Sequence, residues 1–332
     1  MVANSITLIR IFFLPIPCLI LLFFSPISYW AAFILFVFLG ATDFIDGSIA
    51  RREGPTILGA FLDPVADKIF IAAIVLSLSG NKWIPYWFPA AILFREFLLT
   101  VLRSSLMLRN EYIKTSLFAK IKTIIQMGGF GTIFITLFLP LGFSITIAVL
   151  FFMLFIFIYS WYFLFKINTP YWLSTIIFAF LYWFILLILI PTKMAVTMQC
   201  YVILGITWIS SFEYFRIGFL VYKNKKPEKQ DIVRLLWAIS HSIYIAIATF
   251  HGISYIIPIL INISFELGLG GIDNILAIKH KLLNWKLFLA SSLSICLLLP
   301  FFNPKISGIL TGISAACFLY SVFKVRREFV SI

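Results

Sequence analysis

Six aspartates occur in the 332-residue chain, and four of them fall between positions 43 and 67. They stand in the runs Asp43-Phe44-Ile45-Asp46-Gly47-Ser48-Ile49-Ala50-Arg51 and Gly59-Ala60-Phe61-Leu62-Asp63-Pro64-Val65-Ala66-Asp67. Residues three or four apart share one face of a helix, so Asp43 with Asp46 and Asp63 with Asp67 each form a carboxylate pair. Carboxylates gathered near hydrocarbon repel one another and are costly unless compensated. Two hard divalent cations, Mg²⁺ or Mn²⁺, offset that repulsion through oxygen ligands. Two such ions a few ångströms apart stabilise charge on the attacking and leaving oxygens of phosphoryl transfer. Gly47, Ala50 and Gly59 leave room for a phosphate or a nucleotide ring to approach backbone, and Arg51 can meet a pyrophosphate in a bidentate fashion. Solvated acids capping a helix end beside Arg51 and Arg52 would explain one pair more readily than two pairs in register.

The elements that must position these pairs are apolar. Hydrophobic residues make up 62% of the chain and charged residues 12%, with a mean hydropathy of +1.07. Soluble domains carry about 25% charged residues, so the chain lacks the polar surface to face water. Runs of roughly 20 apolar residues, the length a helix needs to cross the hydrocarbon core, follow one another throughout. The expectation is an all-α polytopic membrane protein. Spans are expected near residues 8–25, 28–48, 61–79, 86–107, 121–139 and 144–165, then 172–190, 198–221, 235–256, 257–277, 287–301 and 307–323. The tenth is the weakest, because Glu266, Gly268, Gly270, Gly271 and Asp273 interrupt it. The first aspartate pair closes the second span and the second pair opens the third. Antiparallel neighbours would bring all four carboxylates to one membrane depth.

The net charge of +13 does not point to nucleic acid. The basic residues collect at the ends of apolar runs, where they set topology and meet anionic lipid. Alternate connections hold Arg51 and Arg52; Arg109, Lys114, Lys120 and Lys122; Lys166; Lys223 to Arg234; Lys279 to Lys286; and Lys324 to Arg327. This asymmetry predicts that these connections, the aspartates and both termini face the cytoplasm. Cys18, Cys200, Cys296 and Cys317 have no C-x-x-C spacing and read as small hydrophobes. The first apolar run holds Pro15 and Pro17 and lacks an A-x-A-like cleavage site, so it reads as a retained helix.

The stretch from Asp43 to Asp67 resembles the signature of the CDP-alcohol phosphatidyltransferases, D-x-x-D-G-x-x-A-R followed by G-x-x-x-D-x-x-x-D. Asp43, Asp46, Gly47, Ala50, Arg51, Gly59, Asp63 and Asp67 all match, while the spacer from Arg52 to Leu58 is one residue shorter than the family pattern. The resemblance implies a six-helix bundle, here followed by about six further transmembrane helices. It implies two Mg²⁺ or Mn²⁺ ions on the first three aspartates, with Asp67 as ligand and general base. It further implies that Asn4 and Thr7, in the run Asn4-Ser5-Ile6-Thr7-Leu8-Ile9-Arg10, contact the nucleotide together with Asp46, Gly47, Ala50, Arg51 and Gly59.

Arg95-Glu96, Arg103 and the run Lys120-Ile121-Lys122-Thr123 resemble the branch of that family whose donor is CDP-diacylglycerol and whose acceptor is sn-glycerol 3-phosphate. Arg95, Arg103, Lys120 and Lys122 would then hold the acceptor phosphate, which agrees with the preference of a basic pocket for an anion. For Arg95 the alternative is a buried pair with Glu96 or an aspartate; for Lys120 and Lys122 it is topological anchoring. The resemblance covers about residues 1–166. The expected division is a transferase domain over 1–168 and a second transmembrane domain of unknown role over 169–332. Partners expected are the two substrates, membrane lipid and a second copy in a homodimer, in a bacterial inner membrane. Rival readings are a sibling transferase with serine, an inositol phosphate or phosphatidylglycerol as acceptor, and a divalent-cation transporter. A transporter would place acids at mid-membrane in repeated halves. In the second half, His241 and His251 read as core or cavity residues, and neither a histidine–carboxylate phosphatase cluster nor a cysteine–arginine phosphatase loop is apparent.

Overall fold

A computed structural model describes residues 2–24, 28–54, 56–111, 117–165, 169–224, 226–299 and 303–330; side chains at 2, 44–48, 50–53, 57, 117–120 and 326–330 lie outside the described set. The helices run α1 (Val2–Phe13), α2 (Pro15–Phe23), α3 (Ser28–Glu53), α4 (Ile57–Gly80), α5 (Trp87–Met107), α6 (Leu117–Phe138) and α7 (Leu141–Leu164). They continue with α8 (Tyr171–Leu189), α9 (Thr192–Ile209), α10 (Phe212–Asn224), α11 (Lys229–His251), α12 (Ile256–Ile278), α13 (Trp285–Leu298) and α14 (Pro304–Val330). One 3-10 turn, Ile253–Tyr255, precedes α12. The chain is an all-α, multi-pass membrane protein.

Among the described residues, eight segments are long and apolar enough to cross a membrane, and Ser28–Asp43 and Trp285–Leu298 are shorter apolar helices. α4 and α5 have 24 and 21 residues. Each carries three charges, Asp63, Asp67 and Lys68 on one and Arg95, Glu96 and Arg103 on the other. The helices least like ordinary spans are therefore those holding the residues singled out for chemistry.

Several boundaries differ from the sequence expectation, each for a local reason. The first span begins at residue 2 rather than 8 and is broken at Leu14, where Pro15 and Pro17 supply no backbone N–H to continue the ladder. The expected span over 198–221 is two helices, α9 and α10, separated at Ser210–Ser211. Both serines turn their hydroxyls back onto the Thr207 carbonyl, at 2.7 and 3.1 Å. The glycines expected to weaken the tenth span do not interrupt α12, which is continuous. α11 starts on a capping box between Glu228 and Asp231 and ends where Gly252 takes a φ of +99°.

The chain forms two compact units. The first comprises Met1–Lys82, Tyr86–Ile113 and Tyr214–Ile332, and the second Trp83–Pro85 and Lys114–Glu213. In the first unit α1 packs on α3 and α4, α12 packs on α4, α5 and α14, and α11 packs on α5 and α13. In the second unit α7 packs on α8 through the stacked rings of Phe151, Phe155 and Phe180. There Trp183, 1% exposed, donates its indole N–H to the Thr136 hydroxyl at 2.9 Å. α6 meets α9 through the Thr132–Gln199 hydrogen bond of 2.9 Å.

Candidate active site

α1 places Asn4, Thr7 and Arg10 three residues apart, so one face of the helix carries all three. That face turns to the aspartates. Arg10, 3% exposed, donates to Asp43 Oδ1 on α3 at 2.7 Å and lies 3.4 Å from Asp67 Oδ1 on α4. The Thr7 hydroxyl, itself buried, is 3.2 Å from Asp63 Oδ1. One turn further back, the Asn4 amide and the Thr56 hydroxyl pair at 3.1 and 3.2 Å. Thr56 also caps α4 by accepting from the Gly59 N–H at 3.0 Å.

The sequence reading makes α3 and α4 simple facing neighbours. α3 and α4 meet at Phe36, Gly40 and Phe70, whereas α1 packs on both and supplies the polar bridge between their carboxylates. Arg10 was visible as the last member of the N-terminal run, but its role as the counter-charge of two signature aspartates was not. The missing signal is the long-range packing of α1, which no spacing rule supplies.

Gly59 has a steric reason to be glycine. A Cβ there would lie 2.9 Å from both Asn4 Oδ1 and Thr56 Oγ1. The conformation has no special φ; what is needed is the close approach of α1. Asp46, Gly47, Ala50 and Arg51 belong to the last turns of α3, and their side chains lie outside the described residues.

The donor set suits hard divalent cations: half-exposed carboxylates of Asp43 and Asp67 converge on a single guanidinium nitrogen, and Asp63 stands one turn from Asp67 on α4. Among the described residues, no three histidine, cysteine or acidic side chains gather closely enough to cage a metal. The side chain of Asp46, the remaining aspartate of the signature, lies outside that set.

The residues proposed for an acceptor anion are distributed differently. Arg95 and Glu96 are 6% and 4% exposed, and Arg95 Nη1 donates to Glu96 Oε1 at 2.7 Å. Arg103 donates to the Tyr214 hydroxyl at 3.1 Å and lies over that ring. Lys122 is half-buried and belongs to the second unit; the Lys120 side chain lies outside the described residues. Lys68, next to Asp67, donates to the Thr100 hydroxyl of α5 at 2.5 Å. Just past α5, Arg109 is 2.7 Å from Asp231; burial pulls its guanidinium pKa down, but that carboxylate's hydrogen bond and charge outweigh it and hold the value above the ordinary one.

The second half also holds polar groups that spacing did not bring together. His241 Nε2 lies 3.4 Å from Glu266 Oε1, and both are fully buried. Ser291 donates to the same Glu266 oxygen at 2.6 Å, and Trp237 Nε1 to the other at 2.5 Å. Arg234 forks onto Asp273 at 2.9 and 2.8 Å. This buried polar group is assembled from α11, α12 and α13. His251, by contrast, is exposed and rests against Phe250 and Tyr255.

A family profile described as CDP-alcohol phosphatidyltransferase matches residues 1–161. A CDP-diacylglycerol–glycerol-3-phosphate 3-phosphatidyltransferase of Pseudomonas fluorescens is 47% identical over 109 residues, 31% of this chain and 54% of the relative. The protein of the same name from Bacillus subtilis is 35% identical over 137 residues, 37% of this chain and 71% of the relative. One from Rickettsia bellii is 36% identical over 125 residues, covering 37% and 69%. The chain thus spans about half the length of the Pseudomonas relative and roughly seven-tenths of the other two. No solved structure matches. The chain belongs to the CDP-alcohol phosphatidyltransferase family.

Proposed function

We propose that this chain transfers the phosphatidyl group of CDP-diacylglycerol to sn-glycerol 3-phosphate, forming phosphatidylglycerophosphate and releasing CMP. The observation that carries this reading is the convergence of Asp43 and Asp67 on Arg10, with Asp63 held by Thr7, inside a complete family signature. Relatives named for this reaction support the choice of donor and acceptor.

In the proposed mechanism Asn4, Thr7, Asp46, Gly47, Ala50, Arg51 and Gly59 hold the CDP moiety. Asp67 takes the proton from the acceptor hydroxyl, whose oxygen forms a bond to the β-phosphorus. The bond from that phosphorus to the bridging oxygen breaks, and CMP leaves with the electron pair. Two Mg²⁺ or Mn²⁺ ions bound to Asp43, Asp46, Asp63 and Asp67 would balance the charge that develops on the pyrophosphate. Arg103, Lys120 and Lys122 would receive the acceptor phosphate, with Arg95 joining them if it exchanges Glu96 for that anion. The site would face the cytoplasm of a bacterial inner membrane, with both termini on that side. Residues 1–168 would carry the transferase chemistry and 169–332 a second role; a homodimer is the assembly to test.

Purified protein in lipid nanodiscs, supplied with CDP-diacylglycerol and Mn²⁺, should release CMP when glycerol 3-phosphate is added. Serine, inositol phosphate or phosphatidylglycerol should not replace it. Release with one of those instead assigns the sibling reaction, and normal turnover in Asp67→Asn removes the proposed base.

A further inference from the structure

We propose that α11 and α12 belong to the scaffold of the transferase site, and that Gly271 is a positioning residue for Asp63 and Asp67. The inference rests on the reaction proposed above, and goes beyond it by assigning a task to helices outside the family-matched residues 1–161.

The geometry starts on α4. Phe61 and Val65 each precede a signature aspartate by two residues, which turns them about 200° around the helix from Asp63 and Asp67. Their face is the back of the aspartate face, and α12 packs on it. A Cβ at Gly271 would stand 2.5 Å from Val65 Cγ2 and 2.9 Å from Phe61 Cε2. Any side chain there must push Val65 or α4 itself towards α1. On that side the aspartates are tied to Thr7 and Arg10, so the carboxylates cannot move without altering their spacing.

A second contact involves α5. The Thr100 hydroxyl accepts from Lys68, the residue after Asp67, and donates to the Glu96 carbonyl at 2.7 Å. Its methyl group lies 2.7 Å from where a Cβ of Gly270 would be. Phe97, on the same helix, meets Trp237 of α11 edge-on at 4.9 Å. Asp231 of α11 binds Ser105 and Arg109 at 2.7 Å each. Thr249, at the other end of α11, donates to the Tyr86 carbonyl at 2.8 Å. α5 is thus fastened to α11 along its length.

The buried charges of α12 complete the argument, since the mechanism uses none of them. Glu266 is held by Trp237 and Ser291 beside His241. Asp273 is held by Arg234 and by the Leu283 N–H at 2.9 Å. Two such clamps, seven residues apart, fix the rotation and rise of α12. A helix free to slip by one residue would carry Gly271 away from Val65 and bring a side chain into its place. Single buried polar groups that specify register are the best-attested use of such residues.

The test compares two glycines of α12 in the full chain in nanodiscs. A Cβ at Gly268 intrudes equally, 2.5 Å from Phe318 Cε2, but towards α14 rather than α4. Gly268→Ala and Gly271→Ala are compared for thermal unfolding, for Mn²⁺ binding by electron paramagnetic resonance, and for CMP release. Both should unfold at lower temperature. Gly271→Ala alone should weaken Mn²⁺ binding, by roughly tenfold given the usual cost of overpacking, and lower kcat in step. Val65→Ala in the Gly271→Ala background should restore binding to within a few-fold of wild type. If Gly271→Ala does not accumulate, Val65→Ile crowds the same seam and is read in the same way. Equal Mn²⁺ binding in the two glycine variants, or no rescue by Val65→Ala, overturns the proposal. A wild type that binds Mn²⁺ yet releases no CMP overturns the proposed reaction alone.

Discussion

Gly59→Ala isolates the approach of α1 to the start of α4. The added Cβ meets Asn4 Oδ1 and Thr56 Oγ1 at 2.9 Å, and both must retreat by a few tenths of an ångström to reach ordinary contact. That retreat strains the paired hydrogen bonds between Asn4 and Thr56 and the cap on the Gly59 N–H. Each bond has a net value of about 1 kcal/mol, so losing one or two costs roughly 1–2 kcal/mol. Alanine recovers about 1 kcal/mol of helix propensity relative to glycine. The two effects nearly cancel in stability, and thermal unfolding should shift little. They do not cancel at the site, because only the strain displaces Asn4. Loss of 1–2 kcal/mol of transition-state binding corresponds to about a 5- to 30-fold fall in kcat/KM for CDP-diacylglycerol. Steady-state CMP release with varied donor measures it. Gly128→Ala, where a Cβ meets nothing within 4 Å, serves as the neutral comparison. A change below twofold in kcat/KM, or an unfolding shift larger than the kinetic loss, would refute the reasoning.

Dialysis against EDTA should abolish CMP release and leave the protein folded by circular dichroism, with activity restored by Mn²⁺; persistent activity after chelation would exclude the metal. Arg234→Met should destabilise by about 3–5 kcal/mol, because it strands Asp273 as a buried charge, and Arg234→Met with Asp273→Leu should recover most of that in thermal unfolding. Trp183→Phe removes the bond to Thr136 and should cost about 1 kcal/mol in unfolding, with CMP release unchanged per folded molecule.

The aspartate pairs were legible because their spacing matches a helix and their charge stands out against an apolar chain. The fold class followed from composition. The broken first span and the break at Ser210–Ser211 have local signals in Pro15, Pro17 and the two serines, but the apolar length of each run masks them. The glycines of α12 misled more seriously. In sequence, Gly268, Gly270 and Gly271 look like an interruption; in the structure each lies under a neighbouring helix's side chain. Sequence cannot tell a glycine that bends a helix from one that admits a partner, since the difference lies in residues far along the chain. The same holds for Arg95, whose pairing with adjacent Glu96 was one of two readings the residues allowed.

Arg10 gives the carboxylate cluster a resident cation. Asp43 and Asp67 are never left facing each other bare, because one guanidinium stands against both. A divalent ion bound by these carboxylates would exchange one positive partner for another. The free energy of that exchange would be a difference between two attractions, smaller than the attraction of a divalent ion for unscreened acids. An exchange of that kind would leave the metal-free protein with its acids already compensated by Arg10.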